Sequence, residues 1–357
     1  MVLPITNWVM DQWQKRSFLY WGLMPLAWVY SALVSLRRFA YEKKWLSSTT
    51  LPVPVIVVGN IFVGGTGKTP VVMALIKDLI SLGKKPGLVS RGYGADIPKY
   101  GPALVGRTSD TQPTLDSYQF GDEPALVALT TGIPIAVHPI RSLAAESLLQ
   151  AYPNIDILIC DDGLQHLALR RNVEIVVQDE RMCGNGLTFP AGPLREPTGR
   201  LKHVDAVLTR RSLLSAKPYS DHALKSKVPY LTQFTVSISH FQNFNQPSQT
   251  YTPKDFIEMM TSHTSEKVCA LAAIGFPDRF FVELQNLGLK LSQSIAMPDH
   301  AAVNASDFYR IHADKIIITA KDAIKLKQVD DQRIWVAHTQ LTWLDPNFSK
   351  WVLTQCV

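Results

Sequence analysis

The sequence predicts an α/β fold: a mostly parallel sheet, a second, smaller α/β domain, and an apolar helix at the N-terminus. Three observations carry this. Apolar strand-like runs alternate with helical stretches along most of the chain, the pattern of a parallel sheet covered by helices. One run, 55–58, leads through a glycine-rich turn into a helical repeat. A polar stretch, 237–254, with Asn243, Asn245, Gln246, Pro247, Ser248, Gln249 and Pro253, divides a longer first part from a shorter second one.

The elements follow in chain order. Ser17 to Leu36 is twenty residues without a charge, bracketed by Lys15-Arg16 and Arg37-Arg38. Its length permits a helix across a membrane. Pro25 and Gly22 weaken a straight span, and Phe18, Tyr20, Trp21, Trp28 and Tyr30 with the basic flanks suit a helix lying in the headgroup region. The alternative is a buried helix or a helical hairpin packed on the core. Basic residues at both ends leave the orientation open. Strands are expected at 53–58, 86–90, 155–160, 173–177, 204–208, 267–273, 315–319 and 334–337. Helices are expected at 123–131, 141–151, 276–287 and 306–312, and after Pro70, where Val71, Val72, Leu75, Ile76 and Leu79 recur at helical spacing. The resulting division is an N-terminal segment 1–40, a larger domain 41–236, a linker 237–254 and a smaller domain 255–357.

Composition narrows the function classes. At 357 residues the chain is long enough for two domains, and 46% hydrophobic content supports sizeable cores. The net charge of +6 is modest and spread along the chain, which fits an anionic substrate or membrane surface and does not call for nucleic acid. Cys160, Cys183, Cys269 and Cys356 are scattered, with no metal-type spacing, and read as reduced thiols of a cytosolic compartment.

The glycine turn carries the first chemistry. In 59–69 the glycines Gly64, Gly65 and Gly67 with Thr66 allow backbone N–H groups to face phosphate oxygens, at the start of a helix whose N-terminus favours anions. Lys68 can reach the β- and γ-phosphates, and the Thr69 hydroxyl can ligate Mg²⁺. This makes the sheet one of P-loop NTPase type. The strict pattern requires glycine at 62, where this chain has Phe62. The second signal is the strand 155–160 ending in Asp161-Asp162, placed where a carboxylate holds Mg²⁺ directly or through water. Asp122 and Glu123 precede a helix; an acidic first turn and a general base near the γ-phosphate explain them equally well. Arg91, after a strand, and Arg195 and Glu196, in a proline-rich loop, stand at the expected phosphate edge, and Arg91 is as easily a solvated charge. His300 stands in the second domain.

Taken together, these motifs resemble a known family. Val58-Gly59-Asn60 with the glycine turn, Ser90-Arg91-Gly92-Tyr93-Gly94, Gly121-Asp122-Glu123-Pro124, Asp161-Asp162-Gly163-Leu164-Gln165-His166 and Pro190–Pro197 are similar, in this order, to tetraacyldisaccharide 4′-kinase, the lipid A 4′-kinase. The likeness extends to the apolar N-terminus and to 273–278 and 319–323, and the residue at 62 resembles that family's own variant of the loop. It implies transfer of the γ-phosphate of ATP to the 4′-hydroxyl of a tetraacyldisaccharide 1-phosphate, with Mg²⁺, by a monotopic protein on the cytoplasmic face of the bacterial inner membrane. It implies an Asp122–His300 dyad across an interdomain cleft, and Asp161 and Asp162 serving Mg²⁺. Tyr93, Glu123, Gln165, His166, Arg195 and Glu196 fall on further motif positions. No obligate protein partner is implied. The chain departs from the family pattern at Ala301, where His is frequent, at Phe276, where Asn is frequent, and at Ala320, where Glu is frequent. Two other readings remain at this point: a soluble P-loop kinase of a small metabolite, and a nucleotide-switched membrane adaptor. The adaptor reading is weakened by the missing guanine-reading motif, since in 319–322 the lysine directly precedes the aspartate.

Overall fold

A computed structural model describes residues 13, 18–95, 97, 101–108, 115–211, 228–262, 266–326 and 329–356. In order, the elements are α1 (Phe18–Glu42), β1 (Val55–Gly59), α2 (Lys68–Ser81), β2 (Pro86–Ser90), β3 (Leu104–Gly106), α3 (Ser117–Phe120), α4 (Asp122–Thr131), β4 (Ile135–Val137), α5 (Arg141–Ala151), β5 (Ile157–Asp161), β6 (Val173–Gln178) and β7 (Ala206–Arg210). They continue with β8 (Tyr230–Asn243), β9 (Thr250–Tyr251), α6 (Pro253–Ser262), β10 (Val268–Ala272), α7 (Pro277–Asn286), β11 (Leu291–Ala296), α8 (Ala305–Tyr309), β12 (Lys315–Thr319), α9 (Ala320–Ala323), β13 (Ile334–Trp343) and α10 (Phe348–Thr354).

All these strands join one mostly parallel sheet, in the order β11-β10-β12-β13-β8-β7-β6-β1-β5-β2-β4-β3, with β9 paired to β8. The expected strands are present to within two residues at each end, except that β13 runs six residues beyond its expected end. No strand was expected at the short β3 and β4, at the β8–β9 hairpin or at β11. Strand β11, for instance, is Leu-Ser-Gln-Ser-Ile-Ala and mostly exposed at the sheet edge, where burial does not demand a continuous hydrophobic sequence.

Alternation along the central strands covers both faces. Ile56 and Val58 pack with Val71, Val72, Leu75, Ile76 and Leu79 of α2 on one face. Val55 and Val57 pack with Ala144, Ala145 and Leu148 of α5 on the other. A second pair of core clusters sandwiches the β10–β12–β13 end of the sheet.

The stretch expected as a linker is different in kind. Residues 237–243 are the second half of β8, a strand of 14 residues with regular inside–outside alternation. Its first half runs parallel to β7 and its second half antiparallel to β13. The change of core falls inside this strand: Phe234 and Val236 belong to the first core, Ile238 and Phe241 to the next. Polar side chains on its outer face made it resemble a loop. The chain end also departs from the expected division, because Phe348 and Val352 of α10 pack into the first core with Trp343 and Trp351.

No helix among the described residues is long and apolar enough to cross a membrane. Helix α1 contains Pro25 and lies along the body on one face. Ala27 is buried, Tyr30 Oη donates to the Arg195 carbonyl at 3.0 Å, Ser31 and Thr188 hydroxyls meet at 2.7 Å, and Arg37 donates to the Gln165 carbonyl at 3.0 Å. The other face leaves Trp21, Leu26, Trp28, Val29, Leu33 and Leu36 exposed.

Candidate active site

The site forms at the carboxyl ends of β1, β2 and β5, where a parallel sheet leaves its ligand crevice. β1 pairs with β5 so that Val58 lies opposite Asp161. The glycine loop starts two residues after Val58 and the acidic pair begins at its partner, so sheet register alone brings the two signals together. Within the loop, Asn60 is buried and its Nδ2 donates to the Gly64 carbonyl at 3.1 Å and to Thr66 Oγ1 at 3.2 Å. Gly67 adopts φ 87° as the N-cap of α2, a conformation that favours glycine. Lys68 and Thr69 then occupy the first turn, at the positive end of the helix dipole.

The two adjacent carboxylates have separate surroundings. Asp162 lies between two cations: Lys68 Nζ at 3.3 Å and Arg195 Nη1 at 3.1 Å. Burial alone would raise its pKa, but Lys68 and Arg195 hold it below the usual carboxylate range. Asp161 is buried, and its Oδ1 has no hydrogen-bond partner among the described residues. Burial, reinforced by Glu123 and Asp162, pushes its carboxyl up to about 7.

The expected dyad is in contact. His300 Nδ1 lies 3.2 Å from Asp122 Oδ2. Gly121 makes the approach of Asp122 possible. It sits at φ 86°, and a Cβ there would meet the Tyr93 carbonyl oxygen at 2.7 Å, so the glycine lets the helix start pack on the turn after β2. From that turn the Tyr93 ring reaches His300, with centroids 5.0 Å apart. His300 has φ 60°, a left-handed conformation that non-glycine residues hold mainly where the surroundings impose it.

Glu123 connects the dyad to the loop. Burial would raise its pKa, but Lys321, Lys68 and His300 together lower it. Lys321 Nζ bonds Glu123 at 3.0 Å and lies 3.6 Å from Asp299. Lys325, almost fully buried, lies 3.8 Å from Asp122 and bonds the buried Asp322 at 3.0 Å. Both lysines come from α9 and its end, so the second part of the chain brings positive charge to an acidic helix start of the first.

The remaining candidates divide. Gln165 Nε2 donates to the Asn60 carbonyl at 3.1 Å and to Glu196 at 2.7 Å, bracing the loop from below. Glu196, expected to face the phosphates, is buried against Gln165 and Arg200, the latter at 3.2 Å. Its carboxylate is drawn inward because Arg200 is itself buried. His166 accepts the Arg141 backbone N–H at Nε2, 3.2 Å away. Burial and the nearby Arg141 and Arg171 push it down to about 4, so it is a neutral acceptor at neutral pH. Arg91 stays exposed at the β2 exit, its charge acting on Arg141 and His166.

Sequence reasoning missed Lys321, Lys325, Asp299 and Asn60 as site residues, although each lies in or beside a recognised motif. Arg181, whose Nη2 donates to the Gly65 carbonyl at 2.7 Å, had no local signal, because only folding brings it to the loop.

The chain is similar to known proteins along nearly its whole length. The sequence profile of the LpxK family, tetraacyldisaccharide-1-P 4′-kinase, matches residues 19–357. A tetraacyldisaccharide 4′-kinase of Bordetella parapertussis is 42% identical over 344 residues, covering 96% of this chain and 94% of its own length. One of Tolumonas auensis is 39% identical, with 90% of each chain covered. The crystal structure of LpxK from Aquifex aeolicus in complex with ATP superposes with a TM-score of 0.77 at 25% identity, covering 95% of this chain and all of that one. On these matches, and on a fold that places the motifs around one crevice, the chain belongs to the tetraacyldisaccharide 4′-kinase family.

Proposed function

We propose that this protein transfers the γ-phosphate of ATP to the 4′-hydroxyl of a tetraacyldisaccharide 1-phosphate, at a membrane surface. The observation that carries the reading is the contact of His300 Nδ1 with Asp122 Oδ2 at 3.2 Å, at the sheet edge where the pairing of Val58 with Asp161 also brings together the glycine loop and the acidic pair. A phosphate bound by the loop would sit at the same carboxyl edge of the sheet as this candidate base.

The glycine-loop amides, Lys68 and the N-terminus of α2 bind the β- and γ-phosphates and stabilise charge that develops there. Asp162 holds Lys68 in place, and Arg195 shares that carboxylate. Asp122 accepts the proton of the attacking hydroxyl, and His300, in contact with it, orients the carboxylate and relays the proton. The residues present fit Mg²⁺. Asp161 offers a buried oxygen without a partner among the described residues, and Thr69 offers a hydroxyl in the first turn of α2. Held by Asp161 and Thr69, Mg²⁺ would supply positive charge that offsets the negative charge of the phosphates.

A lipid acceptor accounts for α1. Its inner face is bonded to the loop 188–195 beside the site, and its outer face is a stripe of exposed tryptophan and aliphatic side chains. Such a face suits an interfacial helix, and Arg37, Arg38, Lys43 and Lys44 suit an anionic leaflet. The expected location is the cytoplasmic face of the bacterial inner membrane, without a spanning segment.

The test is a transfer assay with γ-labelled ATP and lipid acceptor in detergent micelles. Label should enter the lipid, and Asp122→Ala should cut turnover by about 10²–10⁴-fold with little change in KM for ATP. Label only in free phosphate, or only on a water-soluble sugar, overturns the reading.

A further inference from the structure

Arg181 lies between two aromatic rings from different parts of the molecule. Its guanidinium is 4.4 Å from the Phe62 centroid, in the glycine loop, and 4.3 Å from the Phe276 centroid, at the start of α7. Its Nη2 donates to the Gly65 carbonyl at 2.7 Å. Its Nε and Nη2 also grip Asp179, at 3.0 and 2.7 Å. Asp179 is buried and takes a second guanidinium, that of Arg279 from α7, at 2.9 Å. Arg279 in turn bonds Glu180 at 2.7 Å and lies 4.7 Å from the Phe276 centroid.

Arg181 is thus tied to the loop by one hydrogen bond and one ring, and to the second part of the chain by another ring and a shared carboxylate. The bond to Gly65 has a directional consequence. The Gly65 carbonyl and the Thr66 N–H belong to one planar trans peptide and point opposite ways. A carbonyl held by Arg181 therefore aims the Thr66 N–H to the other side of that peptide. The stacking and the fork both require a planar guanidinium.

We propose that Arg181 is a positioning residue coupling the placement of Phe276 and α7 to the phosphate-binding shape of the glycine loop. Phe276 then tunes nucleotide affinity although it lies more than two hundred residues beyond the loop in the sequence. By linkage, bound nucleotide holds α7 in place to the same extent. The proposal rests on the reading that the loop binds the phosphates of ATP.

The experiment is titration of the full-length protein with ATP and Mg²⁺ by calorimetry, alongside KM values for ATP and for the lipid acceptor. Phe276→Ala and Arg181→Lys are each expected to raise the Kd for ATP about tenfold, with the lipid KM changed less than about twofold. Arg181→Lys keeps the charge but loses the plane, so failure of lysine to rescue is part of the expected result. If Phe276→Ala does not fold, Phe276→Leu retains an apolar side chain without the ring. Wild-type protein that binds ATP while the variants match it overturns the coupling. So does a parallel rise of both KM values, which marks general damage. Wild-type protein that fails to bind ATP overturns the phosphate reading of the loop and the coupling with it.

Discussion

Asp161 and Asp162 are adjacent in sequence and opposite in surroundings. Asp161 ends β5 and Asp162 follows it at φ 48°; Asp162 is neutralised by Lys68 and Arg195, whereas Asp161 has a buried oxygen without a partner among the described residues. A strand exit in the sequence offers two equivalent carboxylates, because the residue at which the chain leaves the strand and turns is not identified until the sheet packs. The difference leads to a prediction. Without metal, Asp161→Asn removes a buried charge that burial disfavours. At about pH 8 in EDTA it should stabilise the fold by about 1–3 kcal/mol, measured by urea unfolding, while Mg²⁺-supported turnover falls at least about 10²-fold. Equal stability and full activity would remove Asp161 from the metal site. Asp122 and Glu123 present a related lesson. A helix cap explains both in sequence, and only the arrival of His300, Lys321 and Lys325 from the distant second part separates a candidate base from a charge held by lysine.

Helix α1 and strand β8 are the elements whose roles changed most on folding. The sequence of α1 is apolar around most of its circumference, which leaves open whether lipid or protein covers it. The structure assigns one face to the loop 188–195 and leaves the other exposed. Replacing Trp28 and Leu33 by serine should reduce co-flotation with anionic vesicles at least about fivefold while leaving activity on detergent-solubilised acceptor largely intact; unchanged flotation would move the membrane contact elsewhere. Strand β8 carries a titratable seam. His240 on β8 and His338 on β13 face each other as partners, with rings stacked 4.5 Å apart. Burial, His240 and Lys77 push His338 down to about 4, and burial and Lys77 also lower His240. The folded state therefore holds both rings neutral, while the unfolded chain takes up protons first as pH falls. Their contribution is complete above the ordinary histidine value of 6.5 and is lost as pH falls toward about 4. Urea midpoints at about pH 7.5 and about pH 5 should differ less in His338→Asn than in wild type; an identical difference would show that the acid sensitivity arises at other sites.

At the scale of the molecule, one continuous sheet carries the phosphate loop in its first part and His300 beyond β11 in its second. The two parts share β8 and meet again at the site through lysines. Lys325 is the most buried of these, compensating the fully buried Asp322 while reaching toward Asp122. Lys325→Met leaves Asp322 without its counter-charge and should destabilise the fold by about 3–5 kcal/mol. The double variant Lys325→Met with Asp322→Asn should recover part of that loss; a double variant no more stable than the single one would assign Lys325 another role.

The sequence by itself determined the sheet's central strands, the phosphate loop, the acidic strand end and the family. Each of these depends on residues close together in the chain, where apolar periodicity and glycine-permitted turns act locally. Tertiary structure alone decided that the polar stretch 237–243 is a strand shared by both cores and that α10 returns to the first of them. It also decided that Asp161 is open where Asp162 is paired, and that Arg181 joins Phe62 to Phe276. These outcomes arise from contacts between residues far apart in sequence, whose partners are chosen by how the whole sheet stacks its strands, and no local pattern encodes that order.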